Sequence, residues 1–444
     1  MIKKYIAHIC IEADTPLKVG SNSSNFLQDS PIQKDWNGLP MILGTSIAGV
    51  LRKDFGDDAN ALFGYEDKKH GKGSNAIFSN ALLVDEKGEV NEGLLLEKSD
   101  FLKIFDTLPI REHTKIDHKG VTGSSKEYSK FDEEVVYKGT QFRFSIEIIE
   151  DEKAFFKILK LLQSNAFRLG GGTTKGFGKF KILEIKTLEV DTVDKLAEYS
   201  ASLNNFMGTS IELDKVHSET HTTYTLSIKP EDFFMFGSGF GDKEADQTPV
   251  YEKVLDYKIA KLSDNKILIP ASSIKGAISH RTAFYYNKNQ KIYADNLKND
   301  EYKKHVDENN KAVAAIFGHK KELSEDKNTE LGQKGKILIS DCFKKIENNH
   351  TKTFDHVAID RFTGGAMQGA LFQEKTISQR DNWEVEILLE HDIEKAFESA
   401  FEEALKDVCS GMLALGGATT KGHGVFCGSL RKNDLIIYEG ECNA

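Results

Sequence analysis

The sequence predicts an α+β protein built from two tandem ferredoxin-like (RRM-like, βαββαβ) domains. Three observations predict it: a glycine-rich stretch that occurs twice, four further pairs of matching segments in the same order, and strand and helix patterning that repeats between the halves. "RLGGGTTKGFGKF" at 168–180 is answered by "LALGGATTKGHGVF" at 413–426, with Lys175 and Lys421 separated by 246 positions. "ILGTSIAGVLR" (42–52) is answered by "IPASSIKGAISHR" (269–281), and "ALFGY" (61–65) by "AIFGH" (315–319). "AIFSNALLV" (76–84) is answered by "KILISDCFK" (336–344), and "KIDHKGVTGSS" (115–125) by "AIDRFTGGAMQ" (358–368). An ordered series of this kind marks a tandem duplication.

Each element follows in turn. "YIAHICI" (5–11) and "TYTLSI" (223–228) read as first strands. Short helices follow "GTS" and "ASS", with Ser46 and Ser273 as N-cap candidates. Second strands fall at 76–84 and 336–344, before a long polar excursion in each half. Third strands alternate: Phe142, Phe144, Ile146 and Ile148, then Trp383, Val385, Ile387 and Leu389. Second helices carry Phe155, Ile158, Leu159 and Leu162, then Phe397, Ala400, Phe401, Ala404, Leu405 and Val408. Each runs into the glycine-rich loop and a last strand. Such a unit covers one sheet face with two helices and leaves the other open. The domains are predicted at 1–190 and 222–444, joined by a linker at 191–221, with a Lys/Glu-rich insertion at about 288–334.

With 444 residues, 39% hydrophobic and 29% charged, the chain has the composition of a soluble two-domain protein. No apolar run reaches membrane-spanning length, and the start lacks a signal-peptide core, so a cytoplasmic protein with no membrane partner is expected. The five cysteines show no CxxC spacing, which supports neither a disulfide framework nor a zinc site. The net charge of −10 argues against a whole-surface grip on nucleic acid. A local groove of main-chain amides and a few cations remains compatible with it.

The repeated loops suit that role. Gly170, Gly171, Gly172, Gly416 and Gly417 allow close approach of another backbone. Thr173, Thr174, Thr419 and Thr420 add hydroxyls, and Lys175 and Lys421 add a cation, a set suited to phosphate. Neither copy fits the P-loop or GxGxxG registers, and a plain helix-to-strand turn is the competing reading. The helix starts add Thr45, Ser46 and Arg52, and Ser272, Ser273, Lys275 and Arg281, with Ala48 standing where Lys275 stands.

Taken together, "IPASSIKGAISHR", "IFG", "AIDRFTGGAMQGALFQEKTI" and "LALGGATTKGHGVF" resemble the RAMP superfamily, and within it the backbone subunits of type III CRISPR effector complexes. The resemblance recurs in each half, so the chain looks like a tandem fusion of two such subunits. It implies an antiviral RNA-binding protein that holds guide RNA (crRNA), presents complementary target RNA, and works beside other CRISPR effector subunits. It also implies a thumb hairpin in each half, at about 110–138 and 356–378, carrying Arg111 and His113 in one and Arg361 and Met367 in the other. In this family a loop aspartate between the first strand and first helix serves target-RNA cleavage. "LQDSPIQKD" nominates Asp29 and "EADQTPVYEK" nominates Asp246, with Asp35 and Asp242 as controls. A divalent cation, Mg2+ or Mn2+, is the implied cofactor; no metal ligands are nominated. Two competing readings are an inert guide-binding scaffold and a histidine-dependent endoribonuclease that processes guide RNA.

Overall fold

The computed structural model describes residues 2–21, 31–67, 70–116, 130–205, 208–214, 216–298, 301–319, 332–347 and 350–441. Its architecture is α+β with antiparallel sheets. The first half runs β1 (Lys4–Ala13), α1 (Gly44–Phe55), β2 (Ala76–Phe78), β3 (Ile110–Thr114), β4 (Lys130–Glu134), β5 (Gln141–Ile149), α2 (Glu152–Leu162) and β6 (Phe180–Val190). The second runs β7 (His221–Pro230), α3 (Ala271–Asn289), β8 (Ile337–Ile339), β9 (Thr351–His356), β10 (Phe372–Ile377), β11 (Trp383–Glu390), α4 (Lys395–Cys409) and β12 (Phe426–Lys432).

The strand order is β6-β1-β5-β2 in one sheet and β12-β7-β11-β8 in the other, each pair antiparallel. The alternation seen in the sequence sets the register. Tyr5, Ala7, Ile9 and Ile11 lie opposite Ile148, Ile146, Phe144 and Phe142. Tyr224, Leu226 and Ile228 lie opposite Ile387, Val385 and Trp383. These residues share one sheet face. Ile47, Leu51 and Phe55 of α1 and Phe155, Ile158, Leu159 and Leu162 of α2 pack on the first. Ile274 and Ile278 of α3 and Phe401, Ala404, Leu405 and Val408 of α4 pack on the second.

Four details differ from expectation. First, α1 and α3 start at Gly44 and Ala271, ahead of the serines. Their first amides are capped from elsewhere: Gly44 N donates to Asn80 Oδ1 (2.9 Å), and Ala271 N to Asp341 Oδ1 (2.8 Å). Second, the outer face of the first sheet is covered. Leu82, Val84, Val90 and Leu203 close over Cys10, and His8 beside it is 4% exposed. Burial, with Arg143 nearby, pushes the His8 imidazole down to about 4. In the second half Thr225, Ser227 and Glu386 on that face stay half-buried. Third, the second half's hairpin begins its ladder at Thr351, five residues before the edge expected for a thumb. Fourth, Cys427 is disulfide-bonded, which scattered spacing gave no reason to expect, whereas Cys10, Cys342 and Cys409 are free thiols.

The halves meet in a charged joint. Arg111, on β3, is buried and forks onto Glu252 and Asp341, with Nη1 to Asp341 Oδ2 at 2.6 Å and Nη2 to Glu252 Oε2 at 2.9 Å. Lys179 pairs with Glu386 (2.7 Å), and Arg168 Nη2 donates to Ser340 Oγ (3.3 Å). Lys138 lies over the Phe343 ring and pairs with Asp14. Gly176 of the first glycine turn bridges Ser340. A Cβ there would sit 2.2 Å from Asp341 Oδ1, so the joint needs glycine at that point. The Arg111 charge is therefore committed to the joint, and the thumb arginine expected to face RNA has a structural role.

Candidate nucleic-acid interface

Both glycine stretches fold into the same device. After α2 the chain enters a 3-10 turn at Thr173–Lys175, flanked by left-handed Gly172 (φ 68°) and Gly176 (φ 110°). After α4 the turn is Thr419–Lys421, flanked by left-handed Ala418 (φ 55°) and Gly422 (φ 89°). The loop after each first strand clamps the turn. Gly171 N donates to Lys18 O and Gly417 N to Met235 O, both at 2.7 Å. Gly178 N donates to Pro16 O and Gly424 N to Phe233 O, both at 2.8–2.9 Å. Gly170 and Gly416 lie under that clamp, where a Cβ would approach Lys18 O or Met235 O to 2.3 or 2.4 Å.

The loop lysines are not free point charges. Lys421 Nζ pairs with Glu374 (2.6 Å) and Lys175 Nζ lies 3.5 Å from Glu133. Each ammonium also sits 4.6 Å from a phenylalanine ring, Phe372 or Phe131. The same ring stacks on a histidine, His356 at 4.8 Å or His113 at 5.1 Å. These histidines lie 3.7 and 3.1 Å from the same glutamates. A Phe-x-Glu pair on β4 or β10 thus ties the glycine turn to the β3–β4 or β9–β10 hairpin in both halves. Lys18 adds a 2.6 Å pair to Glu133, and His423 takes that place beside Glu374. Burial alone would raise the Glu133 carboxyl, but His113, Lys18 and Lys175 outweigh it and hold it near 2. Sequence reasoning missed both glutamates. The signal was present as "FDEE" (131–134) against "FQEK" (372–375).

Lys275 differs from the loop lysines. Its ammonium donates to Thr174 Oγ1 and to Phe317 O, both at 3.2 Å, and among the described residues no carboxylate pairs with it. Burial and the neighbouring Lys175 push it down to about 8. The fold therefore brings Thr174 and Lys175 of one half against Lys275 and the α3 start of the other. Of the predicted residues there, Ser272 is half-buried and Ser273 exposed, and Thr173 is buried with Oγ1 lacking a hydrogen bond. Thr45, Ser46 and Arg52 lie on α1, where Arg52 bonds Asn60 (2.6 Å). Arg281 is held by Asp407 of α4. Gly416, Thr419, Thr420 and Lys421 form an exposed turn.

Arg361 and Met367 lie exposed in the connection between β9 and β10, beside Phe362, which is 100% exposed. Asp246 is exposed, and its Oδ2 accepts the Gln373 N–H of β10 (2.8 Å). Asp29 lies outside the described residues. Asp35 and Asp242 act as turn formers, each accepting two backbone N–H bonds within its own loop. No group of three or more metal-ligating side chains occurs among the described residues. Among them no helix is long and apolar enough to cross a membrane.

The sequence model of the RAMP superfamily matches residues 10–181 and 228–427, one stretch in each half. No curated protein matches the sequence. One solved structure with detectable similarity is the cryo-EM structure of the type III-B Cmr-beta bound to cognate target RNA. It is 17% identical, with 42% of this chain and 61% of that chain covered at a TM-score of 0.31. The alignment spans under two thirds of that chain, and the family match carries the assignment. With its sequence model filling both halves, the chain belongs to the RAMP superfamily, as a tandem of two RAMP units.

Proposed function

We propose that the chain is a backbone subunit of a type III CRISPR effector complex, which holds guide RNA and presents the complementary target RNA alongside other effector subunits. Each half is read as a ferredoxin-like domain with a thumb, which the repeated strand order and the β3–β4 and β9–β10 hairpins support. The observation that carries the RNA reading is the composite corner at the joint. There Lys275, a desolvated ammonium with no carboxylate partner among the described residues, meets the Thr174 turn at a helix start. Phosphate oxygens supply the missing negative charge, and main-chain amides with Thr hydroxyls fix the register. The second turn, Thr419–Lys421, presents the same backbone unoccupied by the fold.

Asp246 is the proposed catalytic residue of the second half and Asp29 that of the first. The strand-side hydrogen bonds flanking both loops agree: Ser21 N to Pro31 O recurs as Ser238 N to Thr248 O, at an offset of 217 that carries position 29 to 246. The carboxylate would take the 2′-OH proton as that oxygen attacks the adjacent phosphorus and the P–O5′ bond breaks, with water protonating the departing oxygen, leaving a 2′,3′-cyclic phosphate and a 5′-OH. A single exposed carboxylate fits a hard divalent cation only when RNA phosphate completes its shell, and such an ion would stabilise charge on the phosphoryl oxygens. With guide RNA, target RNA and Mg2+ in the assembled complex, Asp246→Ala is expected to remove one set of target cuts by at least about 100-fold in rate. Unchanged cuts would place the chemistry elsewhere, and a complex lacking guide RNA would overturn the whole reading.

A further inference from the structure

The second sheet ends on an open apolar edge, and the first does not. Beyond β12 the chain turns through Asn433 and Asp434, both left-handed (φ 46° and 67°), and returns as β13 (Leu435–Glu439), antiparallel to β12. Among the described residues no strand pairs with the other edge of β13. The corresponding edge of the first sheet carries only two polar residues, Thr209 and Ser210, set against Thr187 and Lys186. β13 instead carries Leu435, Ile436 and Ile437 in a row, 73%, 58% and 36% exposed. The fold does not require apolar residues there, since the first half builds the same sheet without them.

The strand is fixed in place before any partner arrives. Tyr438 packs on the core of the second half, and Gly440 N donates to Gly428 O (2.7 Å). Gly440 also lies so close to the end of α4 that a Cβ there would sit 2.1 Å from Cys409 O. Ile437 forms a bulge in the β12–β13 ladder, which limits an added strand to a few residues. Charge then selects what can pair. The hairpin's own cations are taken: Arg431 by Glu384 (3.1 Å), and Lys432 by Glu398 and Glu402 (3.0 and 2.8 Å). Asp434, Glu439 and Glu441 bracket the apolar run, are exposed, and pair with no cation among the described residues. Two copies joined antiparallel about Ile436 or Ile437 would bring Asp434 of one within a position of Glu439 of the other. A parallel in-register pair would set each acid on itself. Like charges so placed oppose pairing, whereas the same acids attract a strand of opposite sign.

We propose that β13 is a docking edge for a short extended segment of a partner protein, apolar at its centre and flanked by Lys or Arg, which adds a sixth strand to the five of the second sheet. Main-chain hydrogen bonds along the edge supply the register, and Leu435, Ile436 and Ile437 supply apolar contact. Asp434, Glu439 and Glu441 choose the partner, by admitting a basic strand and repelling both an acidic one and a second copy. This inference does not rest on the RNA reading.

The test uses the nuclease-treated, RNA-free chain and a fluorescein-labelled peptide of alternating valine and threonine flanked by lysines. Fluorescence anisotropy reads binding, and amide exchange reads which strand pairs. The expected result is saturable binding of one peptide per chain, with slowed exchange of the amides of 435–439. A glutamate-flanked peptide of the same core should bind about tenfold more weakly, and Glu439→Lys combined with Glu441→Lys should reverse that preference. Leu435→Thr combined with Ile436→Thr keeps strand-forming residues and should weaken binding by about tenfold, with an unchanged circular dichroism spectrum. No saturable binding, or binding that leaves exchange at 435–439 unchanged, would overturn the proposal. Equal binding of a lysine-flanked glycine–serine peptide would overturn it too, by showing that charge alone attracts. So would protection of 435–439 that grows with chain concentration in the absence of peptide, which would make a second copy the occupant.

Discussion

Replacing Arg111 by alanine is expected to destabilise the protein by about 3–5 kcal/mol and to loosen its two halves from each other. The guanidinium is the one cation shared by Glu252 and Asp341, and all three side chains are buried. Its removal strands two carboxylates, one of which also caps α3 through Ala271 N. The readouts are the melting temperature and limited proteolysis of the 191–221 segment, which should become accessible. Arg111→Lys should fall between, since an ammonium cannot fork onto two acids. Arg111→Met combined with Glu252→Gln and Asp341→Asn should recover most of the loss, because no charge is then buried. An unchanged melting curve for Arg111→Ala would mean that the joint does not hold the halves.

The second large effect concerns the lock between the glycine turn and the β9–β10 hairpin. Glu374 is fully buried, and Lys421, His423 and His356 all face it. Glu374→Gln is expected to destabilise by about 1–3 kcal/mol, since Lys421 loses its counter-charge. Amide exchange across β9 and β10 should rise. At the same time the released ammonium becomes available to phosphate, so the salt dependence of RNA binding should steepen by about 0.7 in log–log slope. Lys421→Met should leave that slope at its wild-type value. A shallower slope for Lys421→Met would show instead that Lys421 contacts phosphate in the native protein.

The fold was largely legible, because its signals were local or duplicated. The alternation at Phe142–Ile148 and Trp383–Leu389 placed the central strands, and the doubled TTK turn exposed the tandem. The joint was not. Arg111 meets Glu252 and Asp341 across separations of 141 and 230 residues, and nothing in the local pattern distinguishes it from an exposed thumb arginine. The helix caps escaped for the same reason: Asn80 and Asp341 reach Gly44 and Ala271 from after the second strand, and the nearby serines offered a shorter-range answer. The expectation of open sheet faces overlooked how Leu203, from beyond the last strand, returns to cover Cys10. At the site, Lys275 was named among the RNA-binding candidates, but its partner Thr174 lies in the other half, which no local pattern shows.

The most direct test of the central claim is photocrosslinking of 4-thiouridine-substituted guide RNA to the protein in its assembled complex, with the crosslinked peptides mapped by mass spectrometry. Adducts should concentrate on peptides spanning 168–180 and 413–426 and on the α3 start around Lys275. Adducts confined to the outer faces of α2 and α4, or none at either turn, would contradict an account in which the duplicated turns hold the RNA.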